Sequence, residues 1–412
     1  MSKQSVLSRT VLSTAGMGVQ GLARFAYTLA IGRLAGPAAL GDTNTLLSVA
    51  VYLSLVLPAG LGVAGSRYLP DPRLAAETIG LLKRWFWGSS VALSLLAIPV
   101  SMLIVDDIVA AVSCGLLVFS YNAYVFTRGT MMGEDRILRA TIADFVSSTV
   151  AITALVAVLI GGVHWALLLP LAIGYIIFAA ASWPETRSVP TEAAHRSTVV
   201  RFLRDSTVSA LATGGLLPST MIFVKAYDTP LQAGLFAAAL SLATPASLVS
   251  QAVNQVLIPH FSRMQGNQTA MRTSHTKIFA MTTGMFALIF GGLIALAPWI
   301  LTILYGERYA DGTLTMQSLL AIVFLISITC APSAYLVSSG SQKRFALIWF
   351  IAFLSGTATM IIAAPSFGAW GALLGFAIGG GGGSFAVIAA GILLRPVELA
   401  PTTATLDENR ES

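Results

Sequence analysis

Arg24 lies near the middle of Thr10–Pro37, TVLSTAGMGVQGLARFAYTLAIGRLAGP, a stretch otherwise suited to a membrane-spanning helix. An arginine at membrane depth costs about 2.5–3.5 kcal/mol on insertion scales unless it meets water, a partner or a ligand. On a helix, Ser13, Gln20 and Thr28 fall on its face within about 40°. Gly16, Gly18 and Gly21 let another helix or a bulky ligand approach the backbone. The combination reads as the wall of a polar cavity with one fixed positive charge. Such a charge neutralises an anion through charge-assisted hydrogen bonds.

Three more segments carry polar residues at helical spacing: Asn44, Ser48 and Tyr52; Lys225 with Pro218 and Gly214; and Ser241, Thr244, Ser247, Gln251 and Asn254. The candidate substrate-binding set is Gln20, Arg24, Arg33, Asn44, Tyr52, Lys225, Gln251 and Asn254. For each neutral member, a hydrogen bond between helices is an equal reading. For Arg33 and Lys225, near helix ends, snorkelling to the interface is as good a reading as a cavity role. Asp144 is expected to pair with Arg139 or to serve in proton coupling. Pro58, Pro218, Pro245 and Pro332 mark kinks or hinges, and the run Gly379–Gly383 reads as close helix packing. No phosphate-loop motif, catalytic triad or metal-ligand spacing occurs, so neither an enzyme nor a cofactor is expected. Cys114 and Cys330 fall in separate apolar spans and read as core side chains.

The elements that must hold these residues follow from composition. Of 412 residues 56% are hydrophobic and 10% charged, and the mean hydropathy is +0.80. Soluble domains carry about 25% charge, so the chain is an all-α polytopic membrane protein. Apolar runs of helical length give about twelve spans, over 10–34, 40–66, 86–105, 108–127, 139–161, 164–183, 205–226, 231–258, 277–300, 313–338, 345–363 and 367–394. With both termini in the cytoplasm, 20 of the 24 Lys and Arg fall on the cytoplasmic side, as the positive-inside rule requires. The net charge of +6 is therefore topological; it faces anionic lipid and does not point to nucleic acid.

Residues 184–200 form a polar linker between two six-helix lobes, 1–183 and 201–396, and 397–412 read as a cytoplasmic tail. An internal repeat supports the division. WALLLPLAIG at Trp165–Gly174 and WGALLGFAIG at Trp370–Gly379 match at six of ten positions, 205 residues apart. Two lobes of six spans insert in the same orientation, which places a central cavity between them near the midplane.

Short stretches then resemble a known superfamily. Ile31–Gly41, IGRLAGPAALG, is similar to the turn between helices one and two of polysaccharide flippases; Leu257–Met264, LIPHFSRM, and Tyr305–Leu319, YGERYADGTLTMQSL, resemble its later segments. The chain thus resembles the multidrug/oligosaccharidyl-lipid/polysaccharide (MOP) flippases, in the Wzx-type polysaccharide branch. The resemblance implies translocation of an undecaprenyl-diphosphate oligosaccharide across the bacterial cytoplasmic membrane, with polysaccharide polymerase and glycosyltransferases as partners. It implies that Arg24, with Lys225 and Arg33, meets the pyrophosphate, and that Gln20, Tyr52, Gln251 and Asn254 meet sugar. The drug-extruding branch typically carries carboxylates in its membrane helices, whereas the first and seventh spans here carry cations. A cation-coupled exporter of drugs or small molecules, and a non-transporting scaffold of a synthesis complex, are the alternatives.

Overall fold

Apolar runs broken by Pro and Gly produce helices throughout. The computed structural model describes residues 6–187, 189, 193–264 and 267–393, with 6–14, 17, 193–194, 246–248, 251–252, 255, 259 and 268 described by backbone alone. The expected tail 397–412, and residues 188 and 190–192 of the expected linker, lie outside the described residues. The helices are α1 (Val6–Leu34), α2 (Pro37–Val56), α3 (Pro58–Tyr68), α4 (Pro72–Met102), α5 (Ile108–Gly133), α6 (Ile137–Ile160), α7 (Leu169–Ala181), α8 (Ala193–Gly214), α9 (Leu216–Tyr227), α10 (Pro230–Ser262), α11 (Gln268–Ala295), α12 (Ala297–Tyr305), α13 (Thr313–Ile328), α14 (Cys330–Ser338), α15 (Gln342–Phe376) and α16 (Gly382–Leu393). The described residues contain no strand.

Among the described residues eight helical runs are long and apolar enough to cross a bilayer, or nine if residues 195–214 and 216–227, bent by 57°, form one broken span. Prolines mark several breaks. Pro58 opens α3 after Leu57 leaves helical geometry, Pro218 follows the bend at Gly215, and Pro332 follows the break at Thr329. Pro245, by contrast, lies inside the continuous α10. The 52-residue run Gln342–Leu393 is one of the eight, yet at about 1.5 Å per residue it far exceeds a bilayer. Gly368 divides it: its φ of 54° suits a residue without Cβ, and a Cβ there would strike the Asp228 carboxylate. That carboxylate accepts from the Ala369 amide at 2.7 Å, and the two arms then run back antiparallel.

The arms pack through glycine. A Cβ on Gly371 would sit 2.3 Å from the Ala363 carbonyl oxygen, and one on Gly379 2.8 Å from that of Ala352. The repeated block has the same contact in both copies: Gly174 packs on the carbonyl of Ser147, 205 residues before Ala352. The five-glycine run includes a π-helical turn, Ala377–Gly381. Elsewhere Gly129 of α5 lies against the Gly62 backbone of α3, where a Cβ would come within 2.3 Å. With no hydrophobic drive between helices in lipid, such approaches maximise van der Waals contact.

α1, α2 and α3 meet α8, α9, α10 and α12, so the first helices of the chain's two halves touch directly. The tightest contact joins corresponding positions. Both α2 and α10 open with Pro and have Gly four residues on (Pro37 and Gly41, Pro230 and Gly234). A Cβ on Gly234 would reach the Pro37 backbone at 2.2 Å, and one on Gly41 the Gly234 amide at 3.0 Å. The glycines at like positions of the two helices thus lie against each other.

Charged side chains pin the loop after α7. Thr186 donates from its hydroxyl and amide to Glu134 at 2.7 and 3.1 Å, and Arg136 bridges Glu134 and Glu185. Burial would raise the Glu134 carboxyl, but Thr186 and Arg136 outweigh it and hold it below the usual carboxylate range.

Two predictions follow from packing and charge. Gly129→Ala should lower stability by about 1–3 kcal/mol because backbone cannot yield as a side chain does. Gly284→Ala, which meets nothing within 4 Å, should not; thermal unfolding of the detergent-purified protein distinguishes them. The depressed carboxyl of Glu134 contributes stability that is present above its ordinary value of 4.5 and lost as pH falls through the lower folded value. Melting temperatures recorded between neutral and acid pH should show that loss in the wild type and a smaller one in Glu134→Gln.

Candidate substrate cavity

A cavity of about 690 Å³ opens where the helices part below the α2–α10 contact, walled by α1, α2, α8, α9, α10, α13, α14 and α15. Its size is that of a ligand site. Arg24 is the one charged residue in its described lining. Around it are hydroxyls and amides (Thr28, Asn44, Ser48, Thr213, Asn254) and aromatic rings (Phe25, Phe345, Trp349).

The geometry of α1 places Arg24. Thr28, one turn on, bends its hydroxyl back to the carbonyls of Arg24 and Phe25 at 3.1 and 2.9 Å. One turn before, the Gln20 amide donates to the Ser147 hydroxyl of α6 at 3.2 Å. Arg24 also borders a void of about 10 Å³ shared with Gln20, Ser147, Ser148 and Tyr175, roughly the room a single water needs. The Arg24 guanidinium makes no hydrogen bond or ion pair to another described residue.

The other candidates disperse. Asn44 and Asn254 line the cavity; Asn44 donates to the Leu40 carbonyl at 3.2 Å, and the buried Oδ1 of Asn254 has no partner among the described residues. Gln20 sits behind Arg24 rather than in the main cavity. Tyr52 is half-buried outside the described lining. Lys225 pairs with Asp42 at 2.5 Å, and Arg33 donates to the carbonyls of Ile303 and Leu304 at 2.6 and 2.9 Å. Both cations therefore sit at the closed end, on partners of their own. The Gln251 side chain, like those of Ser13 and Ser247, lies outside the described residues.

Asp144 pairs with Arg128, not Arg139. Its carboxylate is fully buried, 2.8 Å from the Arg128 guanidinium, and accepts from Tyr124 at 3.3 Å; Arg128 also donates to Tyr124 at 2.6 Å. Gly16 of α1 makes room for it, since a Cβ there would lie 2.7 Å from the carboxylate. Arg139 reaches Glu185 instead. Sequence reasoning missed the walls made by Ser209 and Thr213 of α8, by Ser327, Thr329 and Ser333 around the α13–α14 break, and by Trp349 of α15. The cluster Ser327–Thr329–Ser333 inside an apolar run was the signal available.

The family described as polysaccharide biosynthesis protein matches residues 104–314. The chain belongs to that family. No curated protein matches it in sequence. Among solved structures it is similar to a lipid II flippase, MurJ, in an inward-closed conformation (15% identity, TM-score 0.70, covering 92% of this chain and 87% of that one). It is also similar to an inward-facing multidrug resistance MATE family transporter of the MOP superfamily (14% identity, TM-score 0.67, 94% of each chain). A third is a MOP superfamily transporter from Pyrococcus furiosus, described as having a binding pocket of reverse polarity (17% identity, TM-score 0.56, 93% of each). The family member described here is thus a multi-pass membrane protein with the MOP transporter fold.

Removing one partner of a buried ion pair leaves an uncompensated charge. Asp144→Ala should therefore cost about 3–5 kcal/mol, and the double substitution Asp144→Leu, Arg128→Met should recover much of it. Thermal unfolding of the three proteins measures both effects.

Proposed function

We propose that this protein is a flippase that moves a lipid-linked oligosaccharide, carried on undecaprenyl diphosphate, across the bacterial cytoplasmic membrane for polysaccharide synthesis. The observation that carries the reading is Arg24, the single charged residue in the described, hydroxyl-rich lining of the cavity. A pyrophosphate cannot cross hydrocarbon unaided, and a guanidinium binds its oxygens by charge-assisted hydrogen bonds. Membership of a polysaccharide biosynthesis family and a fold like that of a lipid II flippase support the same class of cargo.

In this mechanism the pyrophosphate binds Arg24 while Asn44 and Asn254 hydrogen-bond sugar. Gln20 holds α1 against α6 so that Arg24 stays aimed at the cavity, and the lipid tail remains in the bilayer. The lobes 1–183 and 201–396 rock about the cavity between them. With both termini cytoplasmic, the end closed by Gly41 and Gly234 and pinned by Asp42–Lys225 faces outward. Opening it separates that ion pair, so Lys225 and Arg33 act as latches rather than as pyrophosphate ligands. Polysaccharide polymerase and glycosyltransferases are the partners such a role calls for. The exporter alternative has one fully buried carboxylate to build on, Asp144, and Arg128 already neutralises it.

Arg24→Ala should weaken binding of a short-chain prenyl-diphosphate sugar by about 10- to 100-fold, the worth of a charge-assisted hydrogen bond, with Arg24→Lys in between. Titration of the purified proteins, alongside polysaccharide display in cells at matched expression, tests this. Wild-type binding and display in Arg24→Ala would overturn the reading.

A further inference from the structure

The hydrogen-bonding state of the cavity wall says what kind of head group belongs beside the anion. A hydroxyl has one proton to donate. Thr28 donates its proton to the carbonyls of Arg24 and Phe25, Thr213 to Ser209, Ser250 to Ser327 and Thr329 to Ile326, at 2.7–3.1 Å. Each acceptor is a backbone carbonyl, so the direction of every bond is forced. These oxygens therefore meet the cavity as acceptors. Asn254 adds an amide oxygen that is buried without a partner among the described residues. The charge pattern agrees. No Asp, Glu or Lys lines the described cavity, and the sequence from Leu231 to Pro259, covering nearly all of α10, has no charged residue at all.

A wall weighted to acceptors attracts donors and repels anions. Phosphate oxygens are acceptors only, and Arg24 is the one cation in the described lining that can neutralise them. A second anionic group elsewhere in the cavity would face lone pairs with no cation to offset its desolvation. Sugar hydroxyls, which donate as well as accept, suit these acceptors and the amide and indole N–H groups of Asn44, Asn254 and Trp349. Building on the flippase reading, we propose that the cavity is specific for a single anionic pole attached to an uncharged polyhydroxyl group, so that the first sugars of the cargo are neutral rather than acidic.

The test uses the full-length protein in detergent and three short-chain prenyl diphosphates: one bearing a neutral hexose, one the corresponding hexuronic acid, and one without sugar. Calorimetric titration at neutral pH should show the hexose probe binding at least about tenfold tighter than the hexuronate probe. Thr213 is exposed on the cavity wall, so a lysine has room there. Thr213→Lys adds a second cation and should close most of the gap by strengthening hexuronate binding; Asn254→Lys, at a half-buried lining position, should act in the same direction. Equal affinity of the two sugar probes for the wild type, or an unchanged ratio in Thr213→Lys with wild-type melting behaviour, would overturn the inference. The flippase reading fails separately, if Arg24→Ala leaves the affinity for all three probes unchanged.

Discussion

A bilayer offers no hydrogen-bond partner, so every polar atom at membrane depth must find one inside the protein or in a cavity. Much of this chain's architecture follows. The serines and threonines of the helices mostly bond carbonyls three or four residues earlier in their own helix, as Thr45 does to Gly41 and Thr220 to Leu216. Asp144 and Arg128 neutralise each other in the packed interior. Lys225 and Arg33, near helix ends, reach Asp42 and two carbonyls. Arg24 stands apart because the helix positions it on the wall of the cavity, where its guanidinium has no bond to another described residue.

The same absence of solvent removes hydrophobic attraction between helices, and close backbone approach takes its place. The glycine contacts of Gly62 with Gly129, of Gly41 with Gly234, and of Gly371 and Gly379 with the first arm of α15 are therefore structural. The contact between the Pro37 and Pro230 turns joins the first helices of the two halves, as does the packing of α3 on α8, where a Cβ on Gly60 would lie 2.7 Å from the Thr207 hydroxyl.

Helix content and the positions of most helices were legible in the sequence because apolar runs of helical length have few alternative readings. The place of Arg24 on a cavity wall was legible because a cation in the middle of an apolar span has to be explained. The partner of Asp144 was not. Arg139 is five residues away on the same helix, whereas Arg128 is on the preceding helix, and only the antiparallel packing of α5 and α6 brings it closer. Lys225 shared a polar stripe with cavity residues, yet its position along the helix axis carries it beyond the described lining. Helical spacing reports the face of a side chain but not its depth. The walls from α8, α13, α14 and α15 escaped notice because scattered hydroxyls in an apolar run look the same whether they bond their own helix or a ligand.

The cavity exists because helices around it are broken. α9 packs on α2, α10 and α15, while α8, beyond the 57° bend, packs on α3, α2 and α15. Past that bend the chain leaves α10, and Ser209, Thr213 and Gly214 face open space instead. α13 and α14 part at Thr329 at the same cavity, and the π-turn of Ala377–Gly381 begins beside Phe376 in its wall. Each break costs intrahelical hydrogen bonds, which lipid cannot replace but a water-filled or ligand-filled space can. The breaks and the cavity therefore require each other: straight helices would close the space, and without the space the broken backbone would be left unsatisfied.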